Sequence, residues 1–482
     1  MSESLKQRTA KGLFWGALNS GSTQVLNLVV GIVLARMLSQ SDYGVVGVLT
    51  VFTAIAGDLQ SSGFTQGLIN LRQPAVRDYN SVFSFNVLVS VLMYTVLFLC
   101  APLIAAFYHQ PCLTSVSRVL FITFLIASLG IAHGGYMSKN MMNREMAIIG
   151  ALSLVCSGTV GIVLAVIFRD YWALVWQQIT YISVLNLGRY YYVKAWRPRL
   201  TMDFGPVRQM APFAMKILVT KIINTTSNNI LTVIFGRLFS IHDVGNYSQA
   251  FKWDTMANSL VGNTVGQIAQ AVMVEGAVEE SDDGGRQLRI YRKMVRFTCF
   301  LAMPLMFGLA LVGNEFIGIT LGERWISCVP LLQVLCISGA FMPLYTMYQN
   351  LAISQGRSDV YMWLNIFQIV FQVAVILLFY RYGMQVMVAA YSAFMIVWLL
   401  PWHFFAGRLI SYGWLDMLKD VVPFLLASAA VMVTVSIVTA SVSNIYLLII
   451  LRFAMAAVLY YAVMKLFRVE ILRECERFVL RQ

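Results

Sequence analysis

The chain has 482 residues, of which 59% are apolar and only 12% charged, and its formal net charge is +13. A soluble domain carries roughly 45–50% apolar and about 25% charged residues, so the composition excludes a soluble globular domain, a disordered chain and a coiled coil. The positive charge does not indicate a nucleic-acid partner, because the basic residues sit at the ends of apolar blocks and not along one soluble face.

Polar breaks divide the chain into about fourteen apolar segments, each near the roughly 20 residues that cross a bilayer as helix. The first six cover residues 12–36, 43–65, 81–106, 116–137, 146–168 and 171–193. A basic stretch from Lys194 to Arg208 follows, then segments at 211–236 and 245–270 and a polar loop from Glu275 to Arg292. Segments 293–313, 330–352, 359–380, 384–405, 421–440 and 444–464 complete the set before a charged tail. Lys6, Arg8 and Lys11 imitate the start of a signal peptide. The apolar stretch after them contains Asn19, Gln24 and Asn27 and lacks a small-residue cleavage site, which predicts an uncleaved first span. With the N-terminus in the cytoplasm, the basic residues of alternate loops, such as Lys139, Arg144, Arg189, Arg197, Arg199, Arg289 and Lys419, far outnumber those on the other side. The positive-inside rule then predicts a multi-pass protein with both termini cytoplasmic.

An internal repeat recurs at a spacing of 201 residues: Arg36, Ser39, Asp42 and Gly44 set against Arg237, Ser240, Asp243 and Gly245. The same spacing pairs Asn27 with Asn228 and Gln66 with Gln267. A repeat of six spans makes two lobes of the same orientation, an architecture of secondary transporters. The expected fold is all-α and membrane-integral: a six-helix lobe over residues 1–200, a second over 201–410, a central cavity between them, and two additional helices with a cytoplasmic tail over 411–482.

Nothing in the sequence indicates catalysis. The histidines His109, His133, His242 and His403 stand apart, the cysteines are scattered without a Cys-x-x-Cys pair, and no Walker loop is present. No metal or cofactor is expected, and the short outer loops argue against a membrane-embedded glycan polymerase or ligase. The functional signal lies in costly residues within the spans, since a charge at the bilayer centre costs about 2.5–3.5 kcal/mol on insertion scales. The seventh span carries Lys216, Lys221, Asn224 and Asn228; the last three recur at i, i+3 and i+7 and share one helical face. Lys221 lies roughly 15 Å into its span, near mid-membrane. Lys252 and Asp254 lie in the eighth span and Asp58 in the second. Lys216, Lys221, Lys252, Asn224 and Asn228 are candidate substrate contacts, and Asp58 and Asp254 are candidate ion-coupling groups. The bland accounts are helix–helix hydrogen bonding for the asparagines, snorkelling for Lys216 and Lys252, and a structural pair of Lys221 with either aspartate. His133 and His403 read as packed side chains, and no conspicuous arginine lies within a span.

Gly12-Leu13-Phe14-Trp15, Leu34-Ala35-Arg36, Ser41-Asp42-Tyr43-Gly44, Gly63-Phe64 and Leu68-Ile69 before Arg72 resemble the first hairpin of the Wzx-type polysaccharide flippases, in the multidrug/oligosaccharidyl-lipid/polysaccharide exporter superfamily. Leu321-Gly322-Glu323-Arg324-Trp325, then Pro330-Leu331-Leu332-Gln333 and Leu335, resemble its colanic-acid-type branch. The resemblance implies a flippase that moves undecaprenyl-diphosphate-linked oligosaccharide from the cytoplasmic to the periplasmic leaflet of the bacterial inner membrane. It further implies coupling to an ion gradient, contact with membrane lipid, and a polysaccharide polymerase or co-polymerase complex as candidate partner. Rival readings are a multidrug or lipid II exporter of the same superfamily, or an integral-membrane glycan polymerase or ligase.

Overall fold

A computed structural model describes residues 5–71, 73–278, 284–473 and 476; within it, the side chains of residues 5–20, 59–63, 66, 70, 213, 216–217, 219–220, 263–278, 284, 286 and 358 lie outside the description. The chain is helical throughout its described spans, as expected where lipid offers backbone groups no other partner. By contact it forms two compact units, Met1–Gly245 and Asn246–Gln482.

The first unit contains α1 (Leu5–Met37), α2 (Gln40–Asn70), α3 (Val76–Tyr108), α4 (Leu113–Leu120), α5 (Ile122–Lys139), α6 (Asn143–Phe168), α7 (Trp172–Tyr192) and α8 (Gly205–Leu238). α4 and α5 share the fourth expected span. They break at Phe121, where the Ser117 and Thr123 hydroxyls donate to the carbonyls of Leu113 and Leu120 on either side. α1 packs on α6, α6 on α7, and α2 lies along both α5 and α8. The core toward one end buries Leu68, Val82 and Ala132 completely, with Tyr79 set between the rings of Tyr136 and Trp196.

The basic loop after α7 is laced onto α3. Trp196 Nε1 and the Arg199 amide both donate to Asn80 Oδ1 at 3.0 Å, the Thr201 amide donates to Ser84 Oγ at 2.8 Å, and Arg77 pairs with Asp203. These bonds give the polar residues at the start of an apolar helix a fixed use.

The second unit holds most of α9 (Ile241–Val278), then α10 (Gly284–Thr320), a 3₁₀ turn (Glu323–Cys328), α11 (Val329–Gly339), α12 (Met342–Ser354), α13 (Ser358–Phe379), α14 (Met384–Gly407), α15 (Trp414–Val438) and α16 (Ile445–Leu466). α11 and α12 occupy one expected span, broken at Ala340 and Phe341, with Pro343 in the first turn of α12, where its missing N–H costs no helical bond. α15 and α16 are fastened to α10 by two sets of ion pairs. Asp420, fully buried, accepts from Arg292 at 2.8 Å, from Arg296 and from the Tyr412 hydroxyl. Further along α10, Glu315 pairs with Arg452 of α16 at 2.8 Å, and Arg452 also donates to Thr439 at 3.1 Å.

Among the described residues, nine helices or broken helix pairs are long and apolar enough to cross a membrane. The other five expected spans fall on α1, α2, α7, α8 and α9. α1 is apolar over Gly21–Met37, and the internal Thr, Asn, Gln and Lys residues of the other four set them apart. The chain is an all-α multi-pass membrane protein.

Candidate functional site

The expected polar residues of the first unit meet where α2 runs along α8. Their approach is set by glycines: a Cβ at Gly236 of α8 would collide with the Val48 side chain of α2, and one at Gly67 would press on the Met210 side chain. Between these points the Thr225 hydroxyl of α8 donates to the half-buried Asp58 carboxylate of α2. A hydrogen bond from a neighbouring helix is one of the means by which an intramembrane carboxylate is tolerated.

Asp58 and Thr225 border a cavity of about 440 Å³, whose opposite wall is α7 with Asn186 and Arg189. Arg189 was expected among cytoplasmic loop charges. It is instead half-buried, with Nη1 at 3.2 Å from the Gly130 carbonyl and 3.4 Å from Asn186 Oδ1. Asn186 is held in turn by donating to the Ile126 carbonyl. Gly130 makes this possible, since a Cβ there would overlap Asn186 and approach the guanidinium to 3.1 Å. One cavity therefore carries a carboxylate and a guanidinium that no sequence motif brings together. A second cavity of about 540 Å³ shares Thr53, Gly57, Ala127 and Ile182 with the first and is lined by Asn27, Gln177, Gln178 and Tyr181.

The other candidates are distributed as follows. Lys221 is exposed on α8 and makes no ion pair among the described residues. Asn224 is half-buried and Asn228 exposed on the same helix, and the side chain of Lys216 lies outside the described residues. In the second unit Lys252 is half-buried, while Asp254 is buried and accepts from Asn258 Nδ2 at 3.3 Å. Gly339 of α11 leaves the room these two side chains fill. His133 and His403 lie among aromatic rings, Tyr190 and Trp196 around the first, Tyr412 and Trp414 around the second. Gln66 and Gln267 of the repeat have side chains outside the described residues. No group of metal-ligating side chains occurs among the described residues.

Reading the sequence missed two arginines. Arg189 sits within one turn of the end of α7, where an arginine looks like a loop charge. Arg452 lies within α16, where its partner Glu315 is far away in sequence. The expectation of arginine-free spans is corrected by both. The available signal was position: each falls inside a segment of membrane-spanning length.

The comparisons agree with this architecture. The chain is similar to the teichuronic acid biosynthesis protein TuaB of Bacillus subtilis, at 23% identity over 74% of this chain and 73% of that one. It is similar to the lipopolysaccharide biosynthesis protein WzxC of Escherichia coli, at 23% identity over 76% and 74%. It is also similar to the succinoglycan biosynthesis transport protein ExoT of Rhizobium meliloti, at 22% over 85% and 80%. In fold it resembles the lipid II flippase MurJ in an inward closed conformation, with a TM-score of 0.79 at 11% identity, covering 95% of this chain and 99% of that one. An inward-facing multidrug MATE transporter gives 0.59 at 16% identity over 80% and 95%. Residues 33–330, well over half of the chain, match the family described as polysaccharide biosynthesis protein, and the chain belongs to that family.

Proposed function

We propose that the chain is a flippase that carries an undecaprenyl-diphosphate-linked oligosaccharide across the bacterial inner membrane, from cytoplasmic to periplasmic leaflet, for assembly of a surface polysaccharide. Membership of the polysaccharide biosynthesis family carries this reading, and its relatives include a protein named for succinoglycan transport. The cavity with Arg189, Asn186 and Asp58 supports it, because a guanidinium suits a phosphate oxygen pair better than an ammonium does. Lys216, Lys221, Lys252, Asn224 and Asn228 remain substrate contacts in this proposal, and Asp58 and Asp254 the ion-coupling carboxylates. Both termini lie in the cytoplasm, residues 1–200 and 201–410 form the transporting repeats, and a polymerase or co-polymerase complex receives the product.

A cell test decides between transport and an accessory role. Cells depleted of this chain should accumulate lipid-linked repeat units and lose the surface polymer. Arg189→Ala should reproduce the accumulation at normal protein level, and Arg189→Lys should retain part of the export. Unchanged polymer after depletion would refute the proposal.

A further inference from the structure

The cavity of about 540 Å³ differs in chemistry from the neighbour with which it shares a wall. Its lining contains no acidic or basic side chain. Asn27 of α1 and Gln177 and Gln178 of α7 supply three carboxamides, Thr53, Thr123 and Ser157 supply hydroxyls, and Tyr181 supplies a ring. The three hydroxyls donate to backbone carbonyls, Thr53 to Thr50 at 2.8 Å, Thr123 to Leu120 at 2.6 Å and Ser157 to Leu154 at 3.2 Å. The three carboxamides make no hydrogen bond among the described residues, although all are half-buried within membrane-embedded helices.

Their amide groups open onto the cavity, so their hydrogen-bond partners come from whatever fills it. Each carboxamide offers two donors and an acceptor, the pattern that a pair of neighbouring hydroxyls completes. A phosphate would find no cation in this cavity, a cationic drug no carboxylate, and a hydrocarbon would leave every amide unpaired. At about 540 Å³ the space falls within the range of small-molecule sites, roughly 300–1,000 Å³. Gly161 of α6 lies close against Gln177, since a Cβ there would come within 3.2 Å of the Gln177 Cβ, so the absent side chain eases the packing of α6 on α7.

We infer that this cavity is a saccharide subsite that takes an uncharged sugar residue through Asn27, Gln177 and Gln178, with Tyr181 against its C–H face. The shared wall at Thr53 and Gly57 puts the sugar beside the Arg189 cavity, where the phosphate attached to that sugar belongs. The inference rests on the transport reading above and names the part of the ligand each cavity takes.

The test measures binding without leaflet movement. Full-length protein in lipid nanodiscs is titrated with a short-chain isoprenyl diphosphate, bare or carrying one glucose, galactose or N-acetylglucosamine. The sugar gain is the ratio of the bare to the glycosylated Kd. At least one sugar should give a gain in the wild type, and Gln177→Leu with Gln178→Leu should lower that gain about three- to ten-fold, the worth of one net hydrogen bond. The Kd for the bare diphosphate should stay the same, which also reports an intact fold. Gln177→Asn, which keeps the amide and shortens its reach, should lower the gain if the double variant fails to fold. Absence of a sugar gain in the wild type, or an equal gain in the variants, would overturn the subsite. A preserved gain in a protein that flips nothing would overturn the transport reading instead.

Discussion

Gly44 lies against the backbone carbonyl of Ile241, and the same contact recurs 201 residues on, where Gly245 lies against the carbonyl of Gln40. The two contacts exchange equivalent positions of the repeat. The rest of the motif has a local use. The Ser39 hydroxyl caps α2 by accepting from the Asp42 amide at 3.2 Å, and the Ser240 hydroxyl accepts from the Asp243 amide at 3.2 Å at the start of α9. A serine cap, an aspartate three residues on and a glycine two further are thus what two crossing helix starts require. Ala at Gly44 or Gly245 should lower the melting midpoint of the purified protein, by the roughly 1–3 kcal/mol typical of overpacking. Gly262→Ala, with open space around the glycine, should be neutral or stabilising. Equal melting of all three variants would remove the glycines' packing role.

The Arg77–Asp203 pair ties the loop before α8 to α3, and its hydrogen bond holds the Asp203 carboxyl below its ordinary value. A depressed carboxylate pKa contributes stability above the unfolded pKa, about 3.9, and loses it as the pH falls through the folded value. Arg77→Ala should therefore lower stability modestly at pH 7, as exposed pairs do, and match the wild type only once the pH has fallen through the depressed folded value of Asp203, below the ordinary carboxylate range. A deficit that persists unchanged in acid would point to lost packing rather than the ion pair.

Asp420 is fully buried among Arg292, Arg296 and Tyr412, while its neighbour Asp416 is partly exposed and meets Arg292 at 2.9 Å. Removing one partner of a buried pair costs about 3–5 kcal/mol because the other charge stays behind. Asp420→Ala should destabilise the protein far more than Asp416→Ala and expose the α15–α16 segment to protease. Comparable digestion of the two variants would contradict the fastening role.

Much of this was legible in advance. Each expected span falls on a helix or a broken helix pair, because hydropathy reports burial in lipid directly. The residues of the repeat were visible as a repeat, while their capping of α2 and α9 came only with the helix starts. What joins distant helices was not visible. Thr225 and Asp58 read as separate polar residues, and only the packing of α8 on α2 bonds them. Arg189 and Glu315 sit near helix ends, where hydropathy cannot tell an inward-facing charge from a loop charge. The amides at Asn27, Gln177 and Gln178 come from helices far apart in sequence and acquire meaning only as one wall.

Lys221 gives a test that depends on charge alone. It is exposed on α8 without an ion pair among the described residues. If its ammonium attracts the diphosphate, Lys221→Arg should keep most export and Lys221→Gln should lose it at normal protein level. Full export from Lys221→Gln would remove Lys221 from the substrate path.

The central claim is transport of a lipid-linked saccharide, and it is tested most directly by reconstitution. Proteoliposomes holding the purified chain receive fluorescent undecaprenyl-diphosphate-linked oligosaccharide in both leaflets. Access of a membrane-impermeant glycosidase to that lipid is then followed in time. The account predicts that wild-type protein exposes the inner-leaflet pool to digestion, and that Arg189→Ala leaves about half of the lipid protected, the share of the inner leaflet in a symmetric bilayer. Protection equal to that of protein-free liposomes, for wild type under every imposed proton or sodium gradient, would contradict it.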